Sequence, residues 1–171
     1  VKAVAFIAGV AVLVAVPGGC SSEAPASVPT RRDGGPQEVR PDLVPAQLAG
    51  LNATTEDVTG LEKEAGKTSY LASTRLWALR SGERLRATLQ ISSFVADSEP
   101  GNERFQATVV AQIAESRWRP RVLGGVRVYV TAANQQPVFI WFRGTSLFVL
   151  SIAVDQPTPR SVLRQALELR T

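Results

Sequence analysis

Few side chains in this sequence can do chemistry. Cysteine occurs once, at Cys20, and histidine and methionine do not occur at all. Without imidazole, thioether or a second thiol, the usual ligand sets for zinc, copper, haem and iron–sulfur clusters cannot be assembled. The same gap removes a Ser-His-Asp triad, a Cys-His pair and any histidine acid–base catalyst. No metal and no other cofactor is expected, and the chain does not read as an enzyme. Carboxylates remain, with Asp97, Glu99 and Glu103 close together ahead of an amphipathic stretch. A pair of them flanking a cleft would suit glycoside hydrolysis, but their spacing is that of helix caps and of charges favourable at a helix N-terminus.

Cys20 closes the stretch Val16-Pro17-Gly18-Gly19-Cys20-Ser21-Ser22, after a run from Ala3 to Val16 that carries no charge and follows a single cation, Lys2. The run has the length of an export-signal core and falls short of the roughly 20 residues that a spanning helix needs. Lipid acylation explains a lone thiol after two glycines at the end of such a signal. The segment resembles the lipobox of bacterial lipoproteins, with Gly18 and Gly19 at its small-residue positions and Pro17 where that family usually has leucine. The resemblance implies a signal peptide over residues 1–19, a lipidated Cys20, and a protein held at the extracytoplasmic face of the cell membrane.

The formal charge is +4, and loss of Lys2 with the signal leaves +3, most of the cations being arginine. Such a surplus suits an anionic membrane or envelope surface and is too small to argue for nucleic acid. The densest cationic cluster is Arg117-Trp118-Arg119-Pro120-Arg121, joined by Arg127. Interleaved with an indole, these arginines would hold phosphate or carboxylate groups at a membrane or partner surface; the alternative is solvated charge at a helix C-terminus. Arg75, Arg80, Arg84 and Arg86 read as the polar side of a hairpin.

Both Val138 to Phe142 and Leu147 to Leu150 are apolar at every position, whereas a strand with one wet face alternates. Both sides of these strands must therefore be covered. Helices account for one side; the chain's own segment near Leu51 and Leu61, an apolar ligand or a partner protein would account for the other. Trp77, Trp141 and Phe139 are the candidates for the wall of a groove, and plain core packing is the alternative for each.

These residues need elements to position them. Ser21 to Leu48 contains five prolines and little else that could fold, so residues 20–49 read as a flexible linker and residues 50–171 as a single domain. Leu51 to Lys67 reads as loop, with a helical turn near Thr59 to Ala65. Ser69 to Leu79 and Arg84 to Val95 read as a hairpin whose alternation loses phase at Ser92-Ser93-Phe94, and Glu103 to Glu115 as a helix. Arg117 to Gly125 reads as a turn, followed by strands at 126–131, 138–143 and 147–154 and a last helix capped by Thr158-Pro159.

The expected fold is α+β: an antiparallel sheet of about five strands, order ββαβββα, with two helices packed on one face. In the order and length of its elements, over roughly 100 residues, it resembles the PsbP-like family of extracytoplasmic domains. The expected function is a membrane-anchored, non-catalytic binding or accessory module that docks on an envelope protein. The alternatives are a carrier of lipid or another apolar ligand in a groove between sheet and helices and, third, a carboxylate hydrolase.

Overall fold

Two-residue turns organise this chain, and glycine supplies the left-handed backbone that most of them need. In the computed structural model, which describes residues 38–56, 70–114, 117–133, 136–153 and 160–170, Gly124 and Gly125 (φ 56° and 78°) join one pair of strands and Gly144 (φ 55°) turns another. Such turns match the right-handed twist of the strands they connect. The elements are β1 (Gln47–Leu48), β2 (Leu51–Glu56), β3 (Leu71–Ser81), β4 (Arg84–Phe94), α1 (Glu103–Ile113), β5 (Arg119–Leu123), β6 (Val126–Ala133), β7 (Gln136–Arg143), β8 (Ser146–Ile152) and α2 (Arg160–Ala166). The signal peptide, Cys20, the turn expected near Thr59 and the Thr158-Pro159 cap lie outside the described residues.

The sheet has eight strands, all antiparallel, in the order β1-β2-β3-β4-β8-β7-β6-β5. Each half is a meander of four consecutive strands, and the halves join where β4 pairs with β8, Leu89 opposite Leu150. This corrects the expected sheet of about five strands in the order ββαβββα. The missed strands are β1, β2 and β5, and each lacks a long alternating apolar run. β5 is the sequence Arg-Pro-Arg-Val-Leu, where Pro120 and the following Gly124-Gly125 point to a turn. It lies at the edge of the sheet, where a proline's missing N–H and exposed charges are tolerated and discourage pairing with another chain.

Direct partners in neighbouring strands share a face, so the register sorts the side chains. On one face Trp77, Leu89, Val128, Trp141, Phe148 and Leu150 meet Val162, Ala166 and Leu167 of α2 and its continuation. On the other face Phe94, Tyr129, Val138, Ile140, Leu147 and Val149 meet Val109 and Val110 of α1. The two helices thus lie on opposite faces, not on one. This is why β7 and β8 are apolar at successive positions: the chain itself covers both sides of them. The phase at the end of β4 is kept after all. Ser92 and Ser93 are buried on opposite faces, Ser92 hydrogen bonded to Thr74 (2.8 Å) and Ser93 to Ser73 (3.0 Å), and the irregularity lies in the pairing with β3, whose register shifts between the Ser93–Ser73 and Phe94–Leu71 pairs.

The segment read as the end of the linker belongs to the core. Val39, Val44 and Leu48 are buried with Leu51 on the face that carries α2. The Val39 N–H donates to Ser73 Oγ (2.9 Å), while Arg75 donates through Nε to the Val39 carbonyl (2.5 Å) and through Nη2 to Glu38 (2.7 Å). α1 starts where Asn102 Oδ1 accepts from the backbone N–H groups of Arg104 (2.9 Å) and Phe105 (3.4 Å), which satisfies donors that a helix start leaves open. α2 has seven residues, too few to be stable alone. Tertiary contacts hold it: its buried stripe, the Ala49 N–H donating to Gln165 Oε1 (2.6 Å), and Arg143 Nη1 donating to the Leu169 carbonyl (2.8 Å).

Candidate functional site

A helix of two turns cannot cover one face of an eight-stranded sheet. Between α2 and the β5–β8 half of the sheet the structure leaves a pocket of about 830 Å³. Its apolar wall is formed by Leu123 of β5, Phe139 of β7, Ile152 of β8 and Leu163 and Leu167 of the α2 region. All five border the cluster on the α2 face, so the pocket is an extension of that core left open to solvent. Four arginines also line it: Arg143 from β7, and Arg160, Arg164 and Arg170 from α2 and the chain after it. Arg143 is half-buried, and the other three are exposed. Among the described lining residues one is acidic, Glu168.

The register extends the positive charge beyond the pocket. Arg121 pairs with Val128 and Leu123 with Val126, and Val128 belongs to the α2 face. Arg119 and Arg121 therefore lie on the pocket's face, four and two residues along β5 from Leu123. The cluster expected from Arg117 to Arg127 is divided by this alternation. Trp118 turns to the α1 face and packs edge-on against Tyr129, with ring centroids 5.3 Å apart. Arg127, also on that side, holds Glu103 at 2.5 Å, and this hydrogen bond pushes its guanidinium pKa further up. Arg117 is exposed, and its carbonyl accepts from Thr131 (3.5 Å).

Of the candidate groove residues, Phe139 lines the pocket. Trp77 and Trp141 are core residues, 2% and 0% exposed, and Trp141 stacks on Phe148 with centroids 5.1 Å apart. The Trp141 Nε1–H is buried with no hydrogen-bond partner among the described residues. Arg75 and Arg80 of the hairpin cluster are engaged by Glu38 and Glu56. Two of the three carboxylates considered for hydrolysis serve α1: Glu99 accepts from the side chain of the cap residue Asn102 (3.0 Å), and Glu103 pairs with Arg127; Asp97 is exposed in the stretch before the helix. Among the described residues no group of three or more acidic, histidine or cysteine side chains is placed to hold a metal. No described helix is long and apolar enough to cross a membrane.

Sequence reasoning missed Arg143, Arg160, Arg164, Arg170, Leu123, Ile152, Leu163 and Leu167 as a site. The one legible signal was the spacing of Arg160 and Arg164, four residues apart on one side of a helix whose apolar stripe begins at Val162. Compared with known proteins, the chain matches no family model, no curated protein and no solved structure.

Proposed function

We propose that this chain is a lipid-anchored, non-catalytic module at the extracytoplasmic face of the membrane, and that its domain binds an amphiphile by accommodating an acyl chain in the pocket under α2. The pocket carries this reading. Its volume lies within the roughly 300–1,000 Å³ of small-molecule sites, and it joins a continuous apolar wall to a rim of fixed charge. An apolar wall left open to water is unfavourable at about 25 cal/mol for each Å² exposed, and an acyl chain would remove that exposure. Docking on an envelope protein through the sheet has less support, because both faces of the central strands β7 and β8 are covered by the chain itself. The arginine segment is an edge strand blunted by Pro120 and not a loop.

The test is the content of the natively purified protein. Organic extraction followed by mass analysis is expected to release an acyl-chain lipid at about one per chain, beyond the lipid covalently held at Cys20. A clean extract from protein that also fails to take up an added lysolipid would refute the reading. In the same cells Cys20→Ala is expected to move the protein out of the membrane fraction or leave an unprocessed precursor; normal processing with unchanged membrane retention would remove the anchor from the proposal.

A further inference from the structure

Ten of the fourteen described arginines form two groups. Arg40, Arg75, Arg80 and Arg127 each hold a carboxylate, at 3.6, 2.7, 3.2 and 2.5 Å. None of these four lines the pocket. The six on the pocket's side, Arg119, Arg121, Arg143, Arg160, Arg164 and Arg170, have no carboxylate partner among the described residues. Among the described residues the lining sets four guanidinium groups against the one carboxylate of Glu168, and Arg119 and Arg121 add to the excess from β5. Like charges gathered beside an apolar wall repel one another, and an anion among them would relieve that repulsion.

We infer that the ligand of this pocket is a lipid with a net-negative phosphate head group, which specifies the substrate class of the site and rests on the reading of the pocket as an amphiphile site. The acyl chain lies along Leu123, Phe139, Ile152 and Leu163. The phosphate lies at the rim, where Arg160 and Arg164, one helical turn apart on α2, both line the pocket. Guanidinium is suited to this task. It stays ionised at every physiological pH, and its planar fork gives a phosphate two parallel hydrogen bonds. Arg143 is held in place by its bond to the Leu169 carbonyl (2.8 Å), so one cation at the pocket is oriented before any ligand arrives. The two parts of the ligand are recognised by different chemistry, which allows them to be tested apart.

The experiment uses the chain beginning at Ser21, which keeps every described residue, and titrates it calorimetrically below micelle concentrations. The probes are lysophosphatidylglycerol, lysophosphatidylcholine and monoacylglycerol of one acyl length, together with glycerol phosphate and inorganic phosphate. Lysophosphatidylglycerol is expected to bind at least about tenfold more tightly than the zwitterionic and neutral lipids, as befits hydrogen bonds to charged groups. Arg160→Gln combined with Arg164→Gln is expected to abolish that preference and leave monoacylglycerol binding unchanged. Arg104→Gln, an exposed charge on α1, is expected to alter neither. Equal binding of the three lipids would overturn the head-group assignment and leave the amphiphile reading standing. Failure of all three would overturn both. Binding of glycerol phosphate or inorganic phosphate as tightly as the lysolipid would also overturn the assignment, because the site would then be one for a free anion. Loss of the preference in Arg104→Gln would reduce the effect to net charge and overturn it as well.

Discussion

Replacing Gln165 with methionine removes one hydrogen-bond acceptor while nearly preserving the length of the side chain. In the folded protein Gln165 Oε1 accepts from the Ala49 N–H at 2.6 Å, across 116 residues of sequence. Ala49 is the one non-glycine residue of the described chain with a left-handed backbone (φ 53°), in the two-residue turn between β1 and β2 with Gly50 (φ 80°). The bond therefore fastens the roof of the pocket to a turn that is itself strained by about 1 kcal/mol. Leaving a part-buried N–H without its acceptor costs about 1–2 kcal/mol. Because α2 has only seven residues and is held by tertiary contacts, this cost falls on the opening of α2. Amide exchange at Leu163 to Ala166 in Gln165→Met is then expected to accelerate about 5- to 30-fold, at roughly 1.4 kcal/mol for each factor of ten. Hydrogen exchange read by NMR in the wild type and the variant measures this directly. Amides at Leu89 and Leu150, in the paired central strands, are expected to change much less. Unchanged exchange in α2 would show that the bond carries no free energy. An equal acceleration in β4 and β8 would show that α2 opens only with the whole domain, and would refute the account of α2 as a separately latched roof.

The buried N-terminal segment predicts that a chain beginning at Gly50 will not fold cooperatively, whereas one beginning at Glu38 will. The shorter chain loses Val39, Val44 and Leu48, each 5% exposed or less, at about 1.5–3 kcal/mol apiece, and domains of this size have only about 5–15 kcal/mol in total. Urea unfolding of both chains decides it, and midpoints within the equivalent of about 1 kcal/mol would show that the segment is dispensable. Alkaline stability should depend on Tyr70, whose pKa burial raises above its usual 10.0. The unfolded chain releases the Tyr70 proton first as pH rises past 10, so the contribution is complete below pH 10 and declines as pH approaches the folded value. Tyr70→Phe, which also loses the hydrogen bond to Gln112, is expected to lower stability at pH 8 but to flatten its fall between pH 10 and 11; equal slopes in the two proteins would sink this account.

The parts of the fold legible in the sequence are those where one residue type does one job. Leu85, Ala87, Leu89 and Ile91 alternate with polar neighbours and were read as a strand, and β4 follows. Gly124-Gly125 and Gly144 mark turns because only glycine enters left-handed backbone freely. Legibility failed where composition and position pull apart. Pro120 and two arginines say turn, yet an edge strand accepts them because one side of its ladder has no partner to disappoint. Val39 and Val44 say linker among their prolines, yet Ser73, Glu38 and Arg75 tie that stretch to β3.

The pocket is illegible for a deeper reason. Phe139, Ile152 and Leu163 alternate and repeat as core residues do, and nothing in their spacing separates a position covered by a neighbour from one left open. What opens them is the length of α2, two turns set against a half-sheet of four strands, together with its place on the face opposite α1. Had both helices shared one face, as the sequence suggested, the second face of β7 and β8 would have needed another cover, from the chain's own segment near Leu51, a ligand or a partner. With one helix on each face the central strands are closed. The pocket's open apolar wall lies on the β5 side of α2, beside six arginines that no described carboxylate neutralises. The chemistry of the site is thus set less by any single motif than by which face a short last helix takes.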